Sequence, residues 1–162
     1  MKIINVLFWG VSILIGLECL LFTYRGVSII GEYSGVLRWM WVFKIATYMG
    51  IVAIGFLVFR MKKTFNKRGF LELTSVKQLR SVGLLALVVA MLNSFANAGM
   101  DTWHYYKKEV SFQEAQGQFT LYLFEHIFDH SLIIYVLVLS ILMLSYFAQN
   151  AIAVKRENEA FI

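Results

Sequence analysis

The chain has 162 residues, of which 59% are hydrophobic and only 15% are charged. A soluble domain of this size requires more polar surface than that composition supplies, so the composition indicates a protein that folds in lipid. The net charge of +5 is concentrated beside apolar segments, which favours anionic lipid headgroups as partners and argues against direct nucleic-acid binding. A single cysteine, Cys19, excludes an intramolecular disulfide.

Four segments are apolar over a length that can cross a bilayer, which takes about 20 residues. They cover residues 3–23, 39–59, 82–98 and 127–147. The first is too long for the apolar region of a signal peptide and contains Glu18, so we interpret it as a retained span. The four spans predict an all-α fold, an integral membrane four-helix bundle that forms a single domain over residues 1–162.

Each of the first two spans carries one ionisable residue, Glu18 in the first and Lys44 in the second. An ionised side chain near the centre of a span costs about 2.5–3.5 kcal/mol, so each of these residues needs a partner or water. Adjacent spans run antiparallel, which places the two residues at a similar depth below the same membrane surface. We therefore expect a Glu18–Lys44 ion pair, either as a structural pair or as an element of a proton relay.

The segment between the second and third spans, residues 60–81, is expected to be a basic loop with Glu72 as its one acid. Both chain ends share its side of the membrane, because the number of spans is even. An excess of Lys and Arg marks the cytoplasmic side, so we expect this loop and both termini in the cytoplasm of a multi-pass inner (cytoplasmic) membrane protein. The candidates for contact with a partner or with lipid headgroups are Lys63, Lys67, Arg68, Lys77 and Arg80.

The third span carries two stripes with a spacing of four residues, and this spacing places each stripe on one face of a helix. Small residues permit close approach of a neighbouring helix, and polar residues hydrogen-bond across helices in lipid. We therefore expect both stripes to face other helices. The small stripe consists of Ala86, Ala90, Ser94 and Ala98. The polar stripe consists of Asn93, Asn97 and Asp101.

Two capping-box patterns predict where helices start. Ser75 predicts that the helix containing the third span starts just before Val76. Ser111 with Glu114 predicts a short helix after the third span, and Gly117 is expected to end that helix.

The start of the fourth span carries a group of His, Asp and Glu residues. Asp101 and His104, at the end of the third span, can face this group. His126 and His130 share a helical face at a spacing of four, and such a pair with carboxylates suits a divalent metal. Facing histidines can also hold haem. The simplest interpretation has no cofactor, because such residues also satisfy helix ends. The candidate ligands are His126, His130, His104, Asp101, Asp129 and Glu125.

Residues 67–83, KRGFLELTSVKQLRSVG, stand directly before the third span. They resemble the central signature of a bacterial four-span membrane family that is catalogued as a domain of unknown function. The last residues, AQNAIAVKRENEAFI, resemble the C-terminal helix of that family, although Ser75 stands where its members usually have asparagine. The resemblance implies a gene context with a small helix-turn-helix regulator of the Cro/CI type, which the cytoplasmic loop and tail would bind. It implies no catalytic residues.

Three functions remain open on these grounds. The chain has no HExxH, Walker, GxSxG or CxxC motif, so we expect no enzyme activity. The first hypothesis is a membrane sensor or regulator that acts on a cytoplasmic partner. The second is a metal- or haem-binding membrane protein. The third is a subunit of a small transporter or channel, built as a homo-oligomer around Glu18, Lys44, Asn93 and Asn97.

Overall fold

The structure is a computed structural model, and it describes residues 2–68, 72–106, 111–130 and 132–160. These residues form an all-α fold, as predicted. The helices are α1 (Lys2–Ile30), α2 (Gly35–Arg68), α3 (Leu73–Tyr106), α4 (Phe112–Glu125) and α5 (Leu132–Ala160). A π-helical segment, His126–His130, lies between α4 and α5.

Four helical segments of the described chain are long and apolar enough to cross a membrane, in agreement with the number of spans predicted. They are Phe8–Ile30, Gly35–Asn66, Leu73–Tyr105 and Leu132–Glu159. The last of these has 28 residues, which at about 1.5 Å per residue makes it longer than a hydrocarbon core about 30 Å thick. The helices therefore extend beyond the length that a bilayer requires.

The predicted basic loop at residues 60–81 is mostly helical. α2 continues to Arg68 and α3 already begins at Leu73, so only a few residues connect them. The predicted start just before Val76 is wrong for the same reason, because Ser75 lies inside the first turn of α3. Lys and Arg are good helix formers and the segment from 60 to 68 has no Gly or Pro, so nothing in it ends the helix.

Neighbouring long helices run antiparallel, and the contacts between them fix the two ends of the molecule. Phe8 and Lys62 meet where α1 begins and α2 approaches its end. Val76, Ala148 and Ile152 form a buried cluster where α3 begins and α5 approaches its end. We call this the basic end, and we call the opposite end, with the α1–α2 and α3–α4 connections, the distal end.

The four long helices of the predicted bundle form an open row in the order α1, α2, α3, α5. Among the described helices, α1 has Cα atoms within 8 Å of α2 only, and α5 has such contacts with α3 and the π-helical segment. α3 also carries α4, so it is the centre of the row. α1 and α5 expose apolar side chains over most of their surfaces, including Leu14, Leu20, Ile133 and Leu137.

The close contacts around α3 explain why it is the central helix. In the predicted small stripe, Ala90, Ser94 and Ala98 are buried, the last with 0% of its surface exposed. Gly50 of α2 lies directly against Val89 of α3, with no room for a Cβ atom. Small residues thus allow α3 to approach its neighbours closely, as expected for helices that pack in lipid.

Candidate functional site

Lys44 is the ionisable residue that lies between helices α2 and α3. Its ammonium nitrogen donates hydrogen bonds to Oδ1 of Asn93 at 2.7 Å and to Oδ1 of Asn97 at 2.6 Å. The predicted polar stripe of α3 therefore faces α2, because residues four apart stack on one face of a helix. Two amide oxygens take over part of the hydration that an ammonium group would have in water.

The third residue of the stripe, Asp101, reaches the segment that follows α4. One carboxylate oxygen of Asp101 lies 2.7 Å from Nε2 of His126, whose side chain is only 14% exposed. Asp101 follows Asn97 by four residues, so it lies one turn further along the same face of α3. The polar stripe and the two residues that hydrogen-bond to it, one from α2 and one from the π-helical segment, are called the polar chain: Lys44, Asn93, Asn97, Asp101 and His126.

The backbone at His126 differs from the prediction. Residues His126–His130 form a π-helix, so the α-helical spacing on which the common face of His126 and His130 was based does not apply. The short helix before it does not end at Gly117 either, since α4 continues to Glu125. π-Helical turns are rare and are frequent at functional sites. This one places His126 against the polar stripe of α3.

The predicted Glu18–Lys44 ion pair is not formed. Glu18 is exposed on α1, whereas Lys44 turns towards α3 and donates to Asn93 and Asn97. The prediction placed both residues at one depth but had no information on the rotation of the two helices about their axes. The amide oxygens of α3 offered Lys44 an alternative without a second buried charge.

The predicted metal or haem ligands come together only in part. Asp101 and His126 are paired, whereas His104 and Glu125 are exposed. The side chains of Asp129 and His130 lie outside the described part of the structure. Among the residues that were described, no group of three or more His, Cys, Asp or Glu side chains is arranged to hold a metal ion. The metal and haem hypotheses remain predictions.

The basic residues proposed for partner or lipid contact lie at the basic end. Lys63, Lys77 and Arg80 are exposed there, in the last turns of α2 and the first turns of α3. The side chains of Lys67 and Arg68 fall outside the described residues. Lys62 differs from its neighbour Lys63, because its ammonium group lies 4.4 Å from the centre of the Phe8 ring, in a cation–π contact.

An apolar cavity of about 500 Å³ lies at the distal end, and no pattern in the sequence predicted it. α2 contributes Val36 and Met40 to its lining, α3 contributes Gly99 and Trp103, and α4 contributes Ala115 and Phe119. These residues come from three separated segments and include small side chains. No periodic pattern within one segment can therefore predict such a cavity.

Comparisons of the chain with protein-family models, with curated proteins and with solved structures found no match. The family resemblance of residues 67–83 and of the C-terminal helix stays a prediction.

Proposed function

We propose that this chain is a non-enzymatic membrane protein of the bacterial inner membrane that relays a change at its distal end to a cytoplasmic partner. In this proposal the basic end lies in the cytoplasm and the distal end faces the opposite side. The distribution of Lys and Arg supports this orientation, because cytoplasmic segments next to spans carry most of these residues. An even number of candidate spans supports an orientation in which α1 begins and α5 ends on the same side as the α2–α3 connection.

The observation that carries the proposal is the polar chain. Lys44 of α2 donates hydrogen bonds to Asn93 and Asn97 of α3, and Asp101, one turn further along α3, pairs with His126 in the π-helical segment. A change in the Asp101–His126 contact alters the electrostatic environment of Lys44, and with it the position of α2 against α3. Coupling of this kind requires a two-state element that both ends bias.

α2 and α3 are suited to carry such a change over the length of the molecule. Each is a helix of 34 residues without interruption, from the distal end to the basic end. Packed helices transmit displacements as rigid elements. A shift near Lys44 therefore moves the exposed side chains of Lys63, Lys77 and Arg80 relative to one another.

The partner that fits best is the small helix-turn-helix regulator that the family resemblance implies. Exposed Lys77 and Arg80 offer a basic surface for an acidic patch on such a protein. Glu159 of α5 pairs with Lys155 of the same helix at 3.6 Å.

The test combines orientation with partner binding. Labelling of a cysteine at position 63 from either side of the membrane should place it in the cytoplasm, and external labelling would overturn the orientation. Tagged protein should co-purify with a helix-turn-helix regulator encoded beside it. The Lys77→Ala/Arg80→Ala variant should lose that partner, while Arg25→Ala/Arg38→Ala, the same type of double change on exposed residues of the distal end, retains it. Equal recovery of the regulator with both variants would contradict the proposal.

The role of the polar chain has its own readout. Lys44→Met should change the amount of regulator recovered although Lys44 lies far from the basic end. Thr47→Val, a change one turn along the same helix, should not, because the Thr47 hydroxyl donates only to the carbonyl of Phe43. Unchanged recovery with Lys44→Met would remove the polar chain from the proposed mechanism.

A further inference from the structure

The distal cavity lies between two helices that do not contact each other. α2 and α4 both pack against α3, but no Cα atoms of α2 and α4 lie within 8 Å of each other in the described residues. Met40 on one side and Phe119 on the other line the space between them. Gly99 of α3 forms part of its floor, where the sulfur of Met40 approaches too closely to leave room for a Cβ atom.

The lining of the cavity has the chemistry of a hydrocarbon site. Among the described residues that line it, none is Asp, Glu, Lys or Arg. Of its polar side chains, the Thr102 hydroxyl donates to the carbonyl of Ala98 at 2.7 Å and so is satisfied within its own helix. Gln116 is exposed, which places an amide at the edge of the cavity. Apolar cavities stay dry and accept apolar molecules.

The size and surroundings of the cavity select the kind of apolar molecule. Its volume of about 500 Å³ falls within the roughly 300–1,000 Å³ that is usual for small-molecule sites. Val36 at its edge is 52% exposed, so the cavity communicates with the outside of the helix row. Within the part of the chain that the structure describes, four helices are apolar enough to cross a membrane, and the medium beside such helices is lipid. The apolar groups available in such a medium are the acyl chains of its lipids.

We propose that the distal cavity binds one acyl chain of a phospholipid, which enters from the leaflet at the distal end and fills the space between α2 and α4. Met40 lies one helical turn before Lys44, and Thr102 follows Asp101 directly. The bound chain thus sits beside the polar chain and supports the separation of α2 and α4. The binding site itself goes beyond the proposed signalling role and does not depend on it.

Native mass spectrometry of the full-length protein, extracted from membranes in mild detergent, tests the site. Wild-type protein should retain a phospholipid, and Ala115→Leu should reduce the retained fraction about tenfold, which corresponds to about 1.4 kcal/mol. Ala115 is buried against the cavity, with 7% of its surface exposed. Ala53→Leu is the matched control on the exposed surface of α2, and it should retain lipid as wild type does. Equal retention in Ala115→Leu and Ala53→Leu would overturn the proposal.

A second measurement covers the case in which Ala115→Leu does not fold. Trp103 lines the cavity, so a phosphatidylcholine with brominated acyl chains should quench its fluorescence in vesicles. The Trp103 signal is the difference between wild type and Trp103→Phe. Val36→Phe, which fills the open edge, should protect Trp103 from quenching. Failure of the brominated lipid to quench the Trp103 signal, or quenching that Val36→Phe leaves unchanged, would overturn the site. Neither measurement involves the cytoplasmic partner.

Discussion

The ammonium nitrogen of Lys44 in α2 lies 2.6 Å from Oδ1 of Asn97 in α3, and Asn93 accepts a second hydrogen bond one turn away. A charge inside a membrane helix is usually held by an opposite charge or by water. Here the two acceptors are the side-chain amides of Asn93 and Asn97, which carry no charge. Asp101 lies one turn further along the same face of α3, where it pairs with His126.

The contact between Lys44 and Asn97 predicts non-additive stability. Asn97→Ala removes an acceptor from the ammonium group in wild type, but it has no ammonium group to affect in the Lys44→Met background. The loss in the free energy of unfolding caused by Asn97→Ala should therefore be about 1–2 kcal/mol smaller in the Lys44→Met background than in wild type. Unfolding in mixed detergent micelles measures the four free energies of the cycle. Lys63, which is exposed at the basic end, gives the control: Lys63→Met and Asn97→Ala should be additive.

The contact between Asp101 and His126 predicts local protection of the π-helical segment. Asp101→Ala removes a 2.7 Å hydrogen bond to a largely buried imidazole, at a cost of about 1 kcal/mol. Hydrogen exchange in residues 126–130 should accelerate accordingly, whereas Asp101→Asn, which keeps an acceptor, should exchange more slowly than Asp101→Ala. Glu125→Ala removes an exposed acid beside the same segment and should have no such effect. Equal exchange in Asp101→Ala and Glu125→Ala would show that the contact does not order the segment.

The sequence predicted the features that follow from composition and from spacing within one helix. The four long apolar helices follow from composition and length. The burial of Ala90, Ser94 and Ala98 and the inward direction of the polar stripe follow from the period of the α-helix. The capping box of α4 is present as predicted, with Glu114 accepting from both the backbone and the side chain of Ser111. Its signal is local and requires no knowledge of neighbouring helices.

The features that the sequence could not predict depend on how separate helices are placed. The predicted pairing of Lys44 with Glu18 was wrong, because the depth of a residue along a helix does not determine whether its side chain faces α1 or α3. The π-helix at His126 was missed because a change of helical period leaves no mark in residue types. The order of the helices in the open row could not be predicted, because an apolar helix such as α1 has no preferred face, since lipid and protein suit it equally.

The capping box of α4 predicts a response to acid. Hydrogen bonds from the side chain and then the backbone of Ser111 lower the pKa of Glu114 below its usual value. Because the pKa is lowered in the folded state, ionised Glu114 stabilises the fold at pH values above the usual pKa of a glutamate, about 4.3. This stabilisation is lost as the pH falls through the lowered pKa. Hydrogen exchange in the first turn of α4, corrected for intrinsic rates, should therefore increase on acidification below pH about 4.3.

Glu114→Gln provides the control for that response, because the amide does not titrate. The first turn of α4 should exchange at a rate that is independent of acidification in this variant. Glu125→Gln, at the other end of the same helix, should keep the wild-type response. An identical acid response in wild type and Glu114→Gln would contradict the assignment.

Two glycines of α2 predict opposite effects of the same substitution. A Cβ atom at Gly50 would overlap Cγ2 of Val89 in α3, whereas a Cβ atom at Gly55 would meet no atom within 4 Å. Gly50→Ala should lower the free energy of unfolding by about 1–3 kcal/mol, because two rigid helices must separate. Gly55→Ala should raise it by about 0.5–1 kcal/mol, because alanine loses less backbone entropy in a helix. Unfolding in micelles distinguishes the two, and Val89→Ala should restore part of the stability lost in Gly50→Ala. A destabilised Gly55→Ala, or a neutral Gly50→Ala, would mean that α2 does not approach α3 at Gly50.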